Sequence, residues 1–132
     1  MAQEVEAAFV EMLDISTDID KAVLVGPAGV LASNMSEEAR EAAVGQVREL
    51  ARLGDARAAE MGSQPLTQLV VETAAGFVFF SREVGPDGLM MLATGKRGGR
   101  VGLVLYDLRT CIRDAREVIS TKISGDPGTR EG

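Results

Sequence analysis

The spacing of apolar and polar positions divides the chain into a run of short, distinct elements. In residues 4–14, Val5, Phe9, Met12 and Leu13 fall at offsets of 0, +4, +7 and +8. That is one face of a 3.6-residue period, and it predicts a helix broken at Ser16-Thr17-Asp18. Ala22-Val23-Leu24-Val25 is a short apolar run ended by Gly26-Pro27-Ala28-Gly29 and resumed by Val30-Leu31-Ala32, so residues 21–33 read as a β-hairpin. Asn34-Met35-Ser36-Glu37-Glu38 carries helix-start chemistry. Asn34 or Ser36 is placed to cap free N–H groups, and the two carboxylates sit at the positive end of the helix dipole. The pattern predicts a helix over 36–61, stopped by Gly62 and Pro65. Ala39, Ala43, Val47, Leu50, Gly54, Ala58 and Met61 form its apolar stripe, and Glu37/Arg40, Glu49/Arg52 and Arg57/Glu60 form acid–base pairs beside it.

Three β-rich runs follow in quick succession: Leu66–Thr73, Phe77–Arg82 and Leu89–Thr94. Ala75-Gly76 and Gly85-Pro86-Asp87-Gly88 separate them, and such short turns predict an antiparallel meander. Val70-Val71, Phe79-Phe80 and Met90-Met91-Leu92 are apolar on both sides of their strands, so the sheet must be covered on both faces. Leu105, Leu108, Ile112, Ala115 and Ile119 mark a last helix over 102–122. The predicted order is α-β-β-α-β-β-β-α, an α+β domain over residues 1–123. One helix must then cover a different face from the other two. Residues 124–132 have nothing to bury and are expected to form a disordered tail.

Composition narrows the chemistry. The chain has 132 residues, no histidine and a single cysteine. That excludes Ser–His–Asp and Cys–His catalytic sets, imidazole-dependent zinc sites, thiolate clusters and an intrachain disulfide. No catalytic, cofactor-binding or metal-binding residues are expected. The formal net charge is −6, which argues against nucleic-acid binding and against an anionic membrane surface. No apolar stretch is long enough for a bilayer span, and the acidic start does not resemble a secretory signal, so a cytoplasmic location is expected.

Two features invite a chemical reading. Gly95-Lys96-Arg97-Gly98-Gly99-Arg100 is glycine-rich, basic and placed before a helix. It fails the phosphate-loop pattern: Met90 stands where that pattern requires glycine, and Arg97 where it requires a magnesium-binding hydroxyl. It reads as a solvated connection or as a contact for an anion or an acidic partner. Asp14, Asp18 and Asp20 read as helix-end and turn residues, and Cys111 as a small core residue. Glu72 is the one charge in an apolar strand, either an edge position guarding against unwanted pairing or a polar contact at an interface.

The long helix is the second feature. Ala42, Val44, Gly45, Ala51 and Leu53 extend its apolar arc beyond the strict stripe. An arc this wide implies two partners, the chain's own sheet and something outside the fold. The candidate dimer or partner contacts are Ala43, Val44, Val47, Arg48, Leu50, Ala51, Arg52, Gly54 and Glu72.

In element order the chain resembles the Roadblock/dynein light-chain domain, and three stretches strengthen the likeness. They are Val25-Gly26-Pro27-Ala28-Gly29-Val30-Leu31-Ala32-Ser33 before the long helix, Leu69-Val70-Val71-Glu72-Thr73-Ala74-Ala75-Gly76 in the meander, and Gly102-Leu103-Val104-Leu105-Tyr106 opening the last helix. The resemblance covers roughly residues 5–118, and the bacterial, actinobacterial-like branch is the most similar. It departs at Gly26-Pro27-Ala28-Gly29, where many relatives carry an Asp-Gly turn, and at the basic 95–100 loop. The resemblance implies a five-stranded antiparallel sheet with the long helix on one face and the terminal helices on the other. It also implies a homodimer formed through the long helices and neighbouring strands. The implied function is a platform without chemistry or cofactor of its own, which binds a small Ras-like GTPase and stands in a system that includes a sensor-kinase-like protein. A competing reading is a small-ligand sensor module in bacterial signalling, for which Thr73, Ser81, Thr94 and Tyr106 are the candidate polar groups.

Overall fold

The computed structural model describes residues 2–125, with side chains through Thr121. Its elements are α1 (Ala2–Ile15), β1 (Ile19–Gly26), β2 (Gly29–Ser33), α2 (Glu37–Glu60), β3 (Gln68–Glu72), β4 (Gly76–Arg82), β5 (Met90–Lys96) and α3 (Val101–Gly125). This is the predicted α+β order. The strands form one antiparallel five-stranded sheet in the order β2-β1-β5-β4-β3. The meander β3-β4-β5 occupies one half, and the β1-β2 hairpin joins it through β1–β5 pairing.

Consecutive residues of the central strands enter opposite cores. Phe79 packs beneath α1 and α3 while Phe80 packs beneath α2, and Leu24/Val25 and Met91/Leu92 divide the same way. Because side chains alternate across a strand, a run of apolar residues obliges both faces to be covered. α1 and α3 lie together on one face, contributing Val5, Phe9, Met12, Val104, Leu108 and Ile112. α2 covers the other face alone, with Ala43, Val47 and Ala51. Cys111 is buried in the larger core, where burial pushes its thiol pKa up to about 12 and leaves it unreactive. Among the described residues no helix is long and apolar enough to cross a membrane.

Local chemistry sets the ends of α2. Ser36 is the N-cap, its hydroxyl accepting from the Ala39 N–H at 3.2 Å. Asn34, the other candidate cap, bonds β1 instead: it accepts from the Ala22 N–H at 2.8 Å and donates to the Asp20 carbonyl. At the far end Gly62 adopts φ +72°. The Ser63 and Gly62 N–H groups then donate back to the Ala58 and Ala59 carbonyls, a Schellman closure.

Four expectations need correction. The buried face of α2 is centred on Val47, with Ala43 and Ala51 about 40° to either side at 3.6 residues per turn. Leu50, Gly54 and Ala58 are only half-buried, and Ala39 and Met61 are exposed. The same rotation turns Arg40 toward the sheet, so it forms no ion pair with Glu37, and its Nε is buried without a hydrogen-bond partner. Gly95 and Lys96 belong to β5 and not to a loop, pairing with Phe77 and Gly76. The strand continues because Gly95 has no side chain; a Cβ there would lie 2.8 Å from Phe79 Cε2 and 3.0 Å from the Asp18 carbonyl. Finally, Ser124 and Gly125 extend α3, so the tail does not start at 124; the rest of it, 126–132, lies outside the described residues.

Phe79 is wholly buried at the centre of the sheet. Phe79→Ala should lower unfolding stability by about 3–5 kcal/mol, the usual cost of a large cavity. Urea unfolding at fixed protein concentration measures it.

Candidate interaction surface

Exposed apolar side chains occur on both faces: Val10 and Ile15 of α1 and Leu103 and Tyr106 of α3 on one, and a second group on the α2 side. Leu53 and Met61 of α2 and Val71 of β3 are exposed there, and Val44, Leu50 and Leu69 are half-buried. Val71 faces this side because it pairs with Val78, which belongs to the α2 core. α2 lies mainly over β2, β1 and β5, so the strip formed by β4 and the edge strand β3 is thinly covered.

The candidate contacts separate into two groups. Ala43, Val47 and Ala51 are buried in the chain's own core. Gly54 also serves the interior: a Cβ there would lie 2.3 Å from Leu66 Cδ2, so its absence lets Leu66 close the α2–β3 connection. Val44 and Leu50 are half-buried on either flank of α2, while Arg48, Arg52 and Glu72 are exposed. Arg48 Nη2 donates to the Pro27 carbonyl at 3.3 Å, tying α2 to the β1–β2 turn. Arg52 pairs with Glu49 at 2.6 Å, and Arg57 with Glu60 at 2.7 Å. All four of these side chains are more than half exposed, so the pairs add little stability and their guanidinium groups remain reachable. Glu72 ends the edge strand, opposite Phe77 of β4.

Sequence reading missed a partly buried lock that holds this surface. Arg82, at the end of β4, donates through Nε to the Leu66 carbonyl at 2.7 Å and through Nη2 to the Asp55 carboxylate. The same Asp55 oxygen accepts from the Leu66 N–H at 2.9 Å. α2, the connection and β4 thus share one charged network. The Arg82 guanidinium and then the Leu66 N–H hold the Asp55 carboxyl below its ordinary pKa. Asp and Arg here are 27 residues apart, and no local pattern links them.

The basic loop has a similar surprise. Asp18 Oδ2 accepts from both the backbone N–H and Nε of Arg100, each at 3.0 Å. These two bonds lower the Asp18 pKa. A carboxylate of the chain itself thus lies against the residue that precedes α3.

The polar groups considered for a ligand pocket do not converge. The Ser81 residue is buried in β4, and the Thr73 hydroxyl caps the β3–β4 turn. Thr94 Oγ1 accepts from the Lys21 N–H, and Tyr106 is exposed beneath Arg109. The groove between α1 and α3, about 540 Å³, is open and acidic, lined by Glu4, Glu11, Asp114 and Glu117 among small residues.

The architecture has counterparts among solved structures. A Roadblock/LC7 domain from Streptomyces avermitilis superposes with a TM-score of 0.75 at 17% identity, covering 88% of this chain and 98% of that one. Myxococcus xanthus MglB matches with a TM-score of 0.74 at 11% identity, over 91% of this chain and 90% of its own. The gliding protein MglB of Thermus thermophilus gives 0.69 at 17% identity, over 88% and 91%. These structural neighbours establish the Roadblock-like fold. Neither a protein-family model nor a curated protein sequence matches the chain.

The Asp55 network makes a pH prediction. Its contribution is complete above the unfolded-state aspartate pKa, about 3.9, and is lost as the pH falls through the lower folded value. Asp55→Asn should therefore lower the melting temperature at neutral pH and flatten its decline in acid. Parallel slopes for the two proteins below about pH 4 would contradict this.

Proposed function

We propose that the chain is a cytoplasmic, non-catalytic interaction module that forms a homodimer and binds a small Ras-like GTPase to regulate or scaffold it. The observation that carries the proposal is the unfilled surface beside α2: half-buried Val44 and Leu50, exposed Leu53 and Val71, and a free edge strand at β3. The Roadblock-like fold supports it, because the family resemblance implies dimers joined at the long helix and the neighbouring strand. One of the solved neighbours is described as MglB with a tetrameric arrangement, which supports assembly as a use of this fold.

The surface suits a transient partner. Aliphatic groups lie between guanidinium groups at Arg48, Arg52 and Arg57, a mixture of apolar centre and charged rim. Among the described residues, the Asp18 carboxylate lies against the Arg100 N–H at the start of α3, and the one thiol is buried and protonated. This supports a binding role over an enzymatic one. A sensor-kinase-like protein is a second candidate partner by the same resemblance.

Light scattering at tens of micromolar should give the mass of a dimer, and Leu53→Arg should shift it toward monomer. A wild-type monomer would refute the dimer. Titration with small Ras-like GTPases of the same genome, loaded with GDP or a non-hydrolysable GTP analogue, tests the partner. Arg48→Glu or Arg52→Glu should weaken binding most at low salt, since rim charges act on association rate. Deleting residues 124–132 should leave affinity unchanged. Loss of binding on that deletion, with the helix variants still binding, would refute the platform. The chain alone should bind neither labelled GTP nor labelled ATP at micromolar concentration.

A further inference from the structure

We propose that the groove between α1 and α3, on the face of the sheet opposite α2, receives a basic helix of a partner protein. One arginine or lysine of that helix enters a small cavity in the groove and pairs with Asp107. This goes beyond the α2 surface and does not depend on it.

The Asp107 carboxylate carries the proposal. Asp107 is only 8% exposed, and its Oδ2 is buried without a hydrogen-bond partner. A carboxylate oxygen taken from water with no donor in return is costly. Partly buried carboxylates elsewhere in the chain do have donors: Asp55 accepts from Arg82 and the Leu66 N–H, and Glu83 from Arg116 and the Leu89 N–H. Asp107 lines a cavity of about 70 Å³ together with Ala8, Met12 and Ile15 of α1. Apolar walls beside one carboxylate suit the aliphatic stem and charged head of a long cationic side chain.

That cavity is continuous with the larger groove, because the two share Ala8, Glu11 and Asp114. Residues 4–11 of α1 face 114–121 of α3, and residues 8–15 face 107–114, so the helices run antiparallel. The depression follows α1 from 4 to 15, about 16 Å at 1.5 Å per residue, the length of three helical turns. Among the described residues every charged side chain lining it is acidic, Glu11, Asp114 and Glu117 with Glu4 and Asp107. These carboxylates are spread along the groove and do not gather as metal ligands. Nearby arginines of α3 leave the groove negative. Arg116 pairs with Glu83, Arg109 lies over the Tyr106 ring, and Arg113 meets Asp114 at 3.4 Å in an exposed pair.

Apolar surface selects a helix over a free small cation. Ile15, which lines the cavity, is 65% exposed, and Leu103, one turn before Asp107 on α3, is 44% exposed. A small cation would use the charge and leave both side chains in water. An amphipathic helix would cover them while presenting cations three or four residues apart to the carboxylates.

Fluorescence anisotropy tests this with a labelled alanine- and leucine-based helical peptide bearing arginine at every fourth position. The full chain should bind it, and should not bind the same peptide with glutamine for arginine. Asp107→Asn should weaken binding at least about tenfold. Glu11→Gln with Asp114→Asn should weaken it several-fold, whereas Glu37→Gln with Glu38→Gln, at the start of α2, should leave it unchanged. No binding by the wild type, unchanged binding by Asp107→Asn, or equal weakening by the α2 pair would overturn the proposal. Competition by spermidine at the peptide's own affinity would overturn the helix in favour of a small polyamine. Without peptide, Asp107→Asn should melt no lower than the wild type, because Oδ2 has no bond to lose. A clear drop in melting temperature would show that the carboxylate serves the fold, and would also overturn the proposal.

Discussion

The constraint on which the structure depends is that its central strands are apolar on both faces. Phe79 and Phe80, Leu24 and Val25, Met91 and Leu92 each send neighbouring side chains into different cores. No arrangement with one helical layer would bury them all, so α2 must cross to one side while α1 and α3 close the other. Covering is unequal, however. α1 and α3 bring two helices to their face, whereas α2 is alone and buries chiefly small side chains through Ala43, Val47 and Ala51. A single helix cannot span five strands about 4.8 Å apart, so the strip at β3 and β4 stays thinly covered. The unfilled surface thus follows from the same constraint that builds the core.

That origin explains why the network of Asp55, Arg82 and Leu66 sits where it does. The connection from α2 to β3 runs beside the thinly covered strip, with little apolar packing to hold it. A charged lock gives direction where the hydrophobic effect gives none: Arg82 reaches a carbonyl and a carboxylate from one planar guanidinium. Gly54 completes the arrangement by leaving room for Leu66. The outer face of α2 is therefore positioned relative to β3 by specific polar contacts.

The fold was legible in the sequence to the extent that it rests on periodicity and turn chemistry. The helix at Val5 through Leu13, the stop at Gly62, and the turns at 26–29 and 85–88 are local signals, and all eight elements were recovered from them. What required tertiary information was less legible. Gly95 reads as loop because glycine and lysine are poor strand formers, yet β1 and β4 on both sides hold it in the ladder. The rotation of α2 was misplaced by less than half a turn, because alanine and glycine give a stripe too little contrast to fix its centre. Asp18 and Arg100 are 82 residues apart in the chain, as the Asp55–Arg82 pair is 27 apart, and a single sequence carries no trace of either contact.

The candidate surface was only partly legible for a related reason. A wide apolar arc says that a helix has more than one partner, but not which residue serves which. The structure divides them: the residues at the centre of the arc face the sheet, and those on its flanks remain available. Edge strands carry a further kind of information that composition does not record, the direction of their unpaired N–H and C=O groups. In β3 that direction alternates, with Leu69 and Val71 bonded to β4 and Gln68, Val70 and Glu72 turned outward.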